Sequence, residues 1–236
     1  MGDASKKKAK ARRRAPPSED AIYERILAAI FEHRLAPGTK LGEDRLAGIF
    51  GVSRARIRHV LPRLAHESVV RLEPNRGAFV AQPTVADARN VFDARRLLEP
   101  GIVERLVQRG ELRPMLVQLR QHVASERRAR AANDTRAIVR MSGEFHMLLA
   151  EMAGNALLAK IMRELASLTC LIIALYDKPS VPSCLGEEHG DIVDALAAGD
   201  AARATKLMVH HLNHVEKNLD LSVAEPAPVD LESALA

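Results

Sequence analysis

LGEDRLAGIFGVSRARIRHVLPRLAHESVVRLEPNRGAFV, residues 41–80, spaces its apolar and charged positions in a way that decides the fold. Leu46, Ala47 and Phe50 fall on one helical face, and Gly51 follows them. Glycine accepts the left-handed backbone that stops a helix. Ser53 can then accept a backbone N–H and open a second helix. In that helix Ile57, Val60, Leu61 and Leu64 recur at helical offsets, which predicts a buried stripe. Arg54 and Arg58, four residues apart, share an exposed face, and Arg56 adds a third charge to the first turns. Residues 54–63 hold four arginines and no acid, so nothing within the stretch neutralises it. Val69 to Leu72 and Ala78 to Ala81 read as two strands joined by the turn Pro74-Asn75-Arg76-Gly77. Helix, tight turn, basic helix and two-stranded wing make a winged helix-turn-helix, whose basic helix is shaped for a DNA major groove. A merely solvated arginine-rich helix would explain the charge, but not the turn, cap, stripe and wing together.

Pro62 interrupts this pattern. It removes the bond to the Arg58 carbonyl, which costs about 3 kcal/mol in an ordinary helix interior. Leu61 and Leu64 keep the apolar period across it, so we read a bend and not an end. Upstream, Ser18 is a helix cap, Glu19 and Asp20 suit a first turn, and Ile22, Ile26 and Ile30 line one face. Pro37-Gly38 makes a turn, Gln82-Pro83 a short linker, and Thr84 a new cap.

The chain has 236 residues, enough for two modest domains, and a net charge of +5. That charge is uneven: +6 over residues 1–17, +2 over 18–81 and −3 over the remainder. Residues 1–17, MGDASKKKAKARRRAPP, lack the apolar block of a signal peptide and read as a disordered basic arm. The arm either adds phosphate contacts or only solubilises the chain. Aromatic residues are 3% with no Trp, which argues against base-stacking platforms for single strands. The apolar run at Leu171 to Leu175 is far shorter than the ~20 residues of a membrane span. Cys170 and Cys184 have no metal-binding spacing. These features predict a cytoplasmic chain with reduced thiols and no membrane partner.

From Thr84 onward helical periodicity dominates. Helices are expected near 85–109, 112–131, 135–153, 155–176, 187–198 and 201–220, with Pro100 kinking or restarting the first. Asp177 to Gly186 reads as a loop and residues 222–236 as a disordered tail. The expected fold is therefore mainly α: a winged helix-turn-helix over 18–82, then an all-helical bundle over 84–221.

Residues 34–70, RLAPGTKLGEDRLAGIFGVSRARIRHVLPRLAHESVV, and 74–81, PNRGAFVA, resemble the DNA-binding domain of GntR-type bacterial transcription regulators. The resemblance implies DNA contacts by Ser53, Arg54 and Arg58, with Arg76 and Gly77 at the wing tip. Two departures stand out: Arg56 replaces a frequent proline, adding a charge that we include in the DNA-binding set, and Ser68 replaces a common glycine. Behind this segment, VFDARRLLEP (91–100), GEFHMLLAEMAGN (143–155), EEHGDIVDALAAGD (187–200) and LMVHHL (207–212) resemble the FCD effector-binding domain of FadR-type regulators. That likeness implies a homodimer, an inverted-repeat operator in double-stranded DNA, and control by a small organic acid bound in the bundle.

By the same resemblance His146, His189 and His211 match three histidines that hold a divalent metal such as zinc, nickel or manganese. Neutral imidazoles from three helices can bind such an ion and leave positions open. Many metal-binding members carry a carboxylate four residues before the first histidine; here that residue is Ser142, a weaker ligand facing the same site. Glu144, two residues from His146, points elsewhere, His210 lies outside the site, and His214 is either a helper or solvated. Arg95 matches an arginine near the effector, where its fork suits a carboxylate. The competing reading is a salt bridge, for instance to Glu99. Three other functions compete: a metal-free sensor with the histidines bonded to the effector, a metal-dependent enzyme, and an architectural DNA binder whose bundle only dimerises. The sequence places no catalytic carboxylate or nucleophile beside the histidines.

Overall fold

The computed structural model describes residues 16–110, 112–178 and 188–222. The expectations for most of the basic arm, for the loop carrying Cys184 and for the tail beyond residue 222 fall outside them. Three helices and a small sheet come first: α1 Glu19–Phe31, β1 Lys40–Leu41, α2 Glu43–Phe50, α3 Arg54–His66, β2 Val70–Glu73 and β3 Gly77–Val80. Ser18 caps α1, its side chain accepting from the Ala21 N–H at 3.1 Å. Gly51 ends α2 at φ +64°, and Ser53 caps α3 by accepting from the Arg56 N–H at 3.4 Å. Helix α3 continues through Pro62 to His66, as the unbroken apolar period requires. The strands run antiparallel in the order β1-β3-β2, with Lys40 opposite Phe79 and Arg71 opposite Phe79 on its other side. Strand β1 was not foreseen; its two residues are too short to show a period.

Six helices follow: α4 Val85–Gln108, α5 Leu112–Ala131, α6 Thr135–Met152, α7 Ala156–Tyr176, α8 Glu188–Ala197 and α9 Ala201–Lys217. Each lies within three residues of its expected bounds. Thr84 and Asp87 form a reciprocal capping box that starts α4. Of the two expectations at Pro100, a kink or a restart, the restart does not occur; α4 runs on through Gly101. Its buried residues on both sides, Phe92, Arg95 and Glu99 before or beside Pro100 and Ile102, Val103 and Leu106 after it, hold the helix in place. Helices α6 and α7 pack closely at Gly143, where an added Cβ would meet the Cys170 sulfur at 2.8 Å.

One apolar cluster unites Ile22, Ile26, Leu46, Ile57 and Leu64 with Phe92, Leu171, Ile172 and Ile173. A second, within the bundle, holds Ile102, Phe145, Leu149, Ile192, Leu196 and Met208. Polar ties join the two parts. The His33 Nε2–H donates to the Cys170 carbonyl at 3.1 Å, and the Ser68 hydroxyl donates to Glu164 at 2.5 Å. Arg140 of α6 meets Glu32 at 3.3 Å. His33 and Ser68 both have left-handed backbone, φ +55° and +57°. No described helix is long and apolar enough to cross a membrane.

Candidate metal centre and nucleic-acid interface

Helix α3 turns about 100° per residue. Ile57, Val60, Leu61 and Leu64 are buried, so exposed Ala55 and His59 point outward. Arg54 and Arg58 stand on one flank of that outward face, and Arg56 and Arg63 on the other. No acid within the stretch pairs with these arginines; for Arg54, Arg58 and Arg63 the partners are acids outside it. Arg54 Nε lies 3.0 Å from Asp44 and Arg58 Nε 2.6 Å from Glu43, both acids in the first turn of α2. Glu43 also lies 3.7 Å from Arg54. These pairs are exposed, so they contribute little to stability and can be exchanged for phosphates. Arg56 instead donates to the Pro17 carbonyl at 3.2 Å. On the same flank Arg63 meets Asp20 at 2.8 Å, and outward-facing His59 meets Glu19 at 3.3 Å. At the wing tip Arg76 pairs with Glu73 at 2.5 Å and lies over the Phe79 ring, while Gly77 takes φ +97°.

In the bundle, His146 on α6, His189 on α8 and His211 on α9 are each 2% exposed and meet at one point. The Nε2 atoms of His146 and His211 are 3.2 Å apart, and those of His189 and His211 are 3.3 Å apart. Every Nδ1 faces a carboxylate: Glu99 for His146 at 2.6 Å, Glu126 for His189 at 2.9 Å and Glu188 for His211 at 2.7 Å. Burial holds the His146 pKa down to about 3 and that of His211 to about 4, against the pull of their carboxylates. Both rings are therefore neutral at pH 7. Donating Nδ1–H to a carboxylate fixes the tautomer and leaves the Nε2 lone pair bare. Bare lone pairs this close repel one another unless a cation sits between them. The spacing suits one: nitrogens at about 2.0–2.1 Å from a tetrahedral zinc-like ion lie about 3.3 Å apart. The donor set thus fits a divalent metal.

Burial alone would raise Glu99, but Arg95 and His146 outweigh it and hold its pKa at about 2. Arg95 Nε lies 2.5 Å from Glu99, and its Nη1 donates to Thr169 at 3.0 Å, so the salt-bridge reading of Arg95 is realised. Its Nη2 is buried with no hydrogen-bond partner. Ser142 is buried one turn before His146. Glu144 pairs with Arg140, His210 is exposed, and His214 reaches Glu188 at 2.8 Å. Sequence reasoning missed Glu126 and Glu188 as partners of the histidines. Glu126 left a signal, since it is an acid in the apolar stripe of Leu119, Val123 and Ala129. A cavity of about 500 Å³ between α1 and helices α5 to α7 lies elsewhere, and its Arg140 and Arg163 are already paired with glutamates.

The protonation states give a pH dependence. An unfolded chain takes protons on His146 and His211 near pH 6.5, whereas the folded metal-stripped protein resists this to about pH 3 and 4 respectively. The unfolded state then binds more protons, so stability falls as pH drops below about 6.5. The loss is at most about 1.4 kcal/mol per histidine per pH unit. Glu99 and Glu126, both held at about 2, add a further loss below about pH 4.5. Denaturation midpoints of chelated protein at pH 7.5, 6 and 5 should fall steadily; a flat profile would contradict the neutral cluster.

Comparison with known proteins agrees with both halves. Residues 18–80 match the family described as bacterial regulatory proteins, gntR family, and residues 90–214 match the FCD domain. The chain is 26% identical over 204 residues to the HTH-type transcriptional repressor RspR of Escherichia coli K12, covering 86% of this chain and 89% of that protein. It is also 26% identical over 205 residues to the HTH-type transcriptional regulator YdfH of Escherichia coli O6:H1, covering 86% and 90%. A solved GntR regulator from Rhodococcus sp. RHA1 shares the fold, with a TM-score of 0.72 at 24% identity, covering 84% of this chain and 95% of that one. With a reader helix at one end and an FCD bundle behind it, the chain belongs to the GntR family of bacterial transcription regulators and is a DNA-binding protein, not an enzyme.

Proposed function

We propose that the protein is a repressor whose bundle, residues 84–221, binds a small organic acid through a divalent metal and thereby controls operator binding by residues 18–82. The observation that carries this is the cluster of three histidines with bare Nε2 atoms, each backed by a carboxylate. His146, His189 and His211 would hold the ion, which would supply a Lewis-acidic anchor for a carboxylate. Arg95 Nη2, a buried donor without a partner, supplies charge and a hydrogen bond for the same group. Ser142 adds only a neutral hydroxyl. RspR, named as a repressor, supports the direction of control. Thermal-shift screening of organic acids with and without zinc, nickel or manganese tests the reading. Stabilisation that needs both metal and acid, with release from DNA, supports it. Acid-driven stabilisation that survives chelation would favour the metal-free sensor.

Two exposed arginines on α3 and a wing suit an inverted repeat read by a homodimer. Arg54→Ala and Arg58→Ala should each weaken operator binding by about 1–3 kcal/mol if they reach bases. Anisotropy titration of labelled duplex measures this, and unchanged affinity in both variants would remove α3 from the interface. The bundle fragment should dimerise by light scattering while the reader fragment stays monomeric, because the bundle carries exposed Leu97, Val117 and Leu157. A monomeric bundle at micromolar concentration would contradict the arrangement.

A further inference from the structure

Three histidines of α9 turn toward one carboxylate. His210 and His214 are four residues apart, so only about 40° separates them around the helix, whereas His211 falls further round, in the core. Glu188, the first residue of α8, stands opposite all three. Its Oε2 lies 2.7 Å from the His211 Nδ1 and belongs to the buried cluster. Its Oε1 serves the other two, 2.8 Å from the His214 Nδ1 and 3.5 Å from the His210 Nδ1. Burial would raise the Glu188 pKa, but the hydrogen bonds from His211 and His214 outweigh it and hold the group below its ordinary value. Glu188 Oε1 is therefore an anionic oxygen fixed in place by His211 from behind. The His210 side chain is 72% exposed, so this face of the cluster meets solvent.

We propose that His210, His214 and Glu188 Oε1 form a second divalent-metal site, open to solvent and distinct from the buried cluster. Two histidines four apart on one helix face can grip one ion, and imidazole suits zinc, copper and nickel. Donor atoms about 2.0–2.2 Å from a tetrahedral ion lie about 3.3–3.4 Å apart, between the two distances that Oε1 makes here. The competing reading is a hydrogen-bonded surface group. In that reading His210 adds nothing, because 3.5 Å is too long for a good bond. A metal uses it: the exposed ring can turn and close a third position on an ion held by His214 and Glu188. The ion would sit one carboxylate away from the buried cluster, but its binding does not depend on that cluster being filled.

The test titrates zinc by calorimetry into metal-stripped full-length protein, with His210→Ala and His210→Cys beside wild type. Because His210 is largely exposed, both variants should fold. Wild type should take up one equivalent at micromolar zinc that His210→Ala binds at least about 10-fold more weakly, since even an outer partner of a ligand is worth about 10–100-fold. His210→Cys, kept reduced, should regain the affinity, because thiolate replaces imidazole as a zinc ligand. A histidine that only hydrogen-bonds Glu188 gives no such rescue. His146→Ala tells the two sites apart: it removes the buried equivalent and keeps the one that depends on His210. Wild type showing the His210-dependent equivalent alone would mean that the buried cluster takes no ion, and would still support the surface site. Identical zinc uptake by wild type and His210→Ala would overturn the proposal. Uptake at the surface pair only at millimolar zinc would mark an adventitious ion only, and would overturn it equally.

Discussion

Alanine at His146, His189 or His211 is expected to remove divalent-metal binding, each on its own. Loss of an outer partner of a metal-bound histidine typically costs about 10–100-fold in affinity, and loss of the ligand itself costs more. Three nitrogens with no protein carboxylate among them leave no reserve, since Ser142 offers only a hydroxyl. The converse change is informative. Ser142→Asp places a carboxylate one turn from His146 and should tighten binding, so wild type loses its ion to a chelator more easily than the variant. Metal analysis before and after chelation, with calorimetry on Ser142→Asp, reads both. Absence of metal from wild type and Ser142→Asp alike, under zinc, nickel and manganese loading, would retire the metal while leaving the family assignment untouched.

Glu99→Ala is expected to be the most damaging single change in the bundle. Glu99 is 2% exposed and accepts from Arg95 at 2.5 Å and from His146 at 2.6 Å. Its loss leaves a guanidinium that is itself 2% exposed, with Thr169 as its remaining hydrogen-bond partner. Breaking a buried pair from one side costs about 3–5 kcal/mol. In a chain of this size that lowers the thermal midpoint on the order of 10 °C. The double change Arg95→Met with Glu99→Leu should recover most of the loss, because apolar residues of similar volume replace buried ion pairs at little cost. It should not recover metal affinity, since His146 still lacks the carboxylate that fixes its tautomer. A loss under 1 kcal/mol for Glu99→Ala would show that water reaches Arg95.

Much of this arrangement is legible in the sequence because it is local. Gly51, Ser53 and Thr84 each act within one turn of where they stand, so helix ends are read from single residues. The apolar stripe of α3 survives Pro62 because four buried side chains outweigh one missing hydrogen bond. What the sequence hides is pairing at a distance. Residues 54–63 hold no acid of their own, and nothing in that stretch shows that Glu43 and Asp44 arrive from the preceding helix. Glu126 lies 63 residues from His189, and no periodicity links them. The three histidines themselves were found by resemblance, since they sit on three helices without a shared motif. Arg95 shows both sides: its salt bridge to Glu99 is one turn away and readable, but its unpartnered Nη2 is a property of the packed core.

The ties between reader and bundle have a mechanical consequence. The contacts made by His33 and Ser68 both fall on α7, at Cys170 and Glu164, about 9 Å apart along its axis. Two points on one rod define a hinge pin, and the motion they resist least is a roll of the reader about that helix. Arg140, holding Glu32 from the neighbouring α6, lies off the pin and acts as the stop that sets the angle of roll. The same helix carries His146 six residues further on. On the proposed reading, a displacement of α6 that follows His146 would reach the reader as a torque, and in a dimer equal and opposite rolls would change the spacing between the two α3 helices.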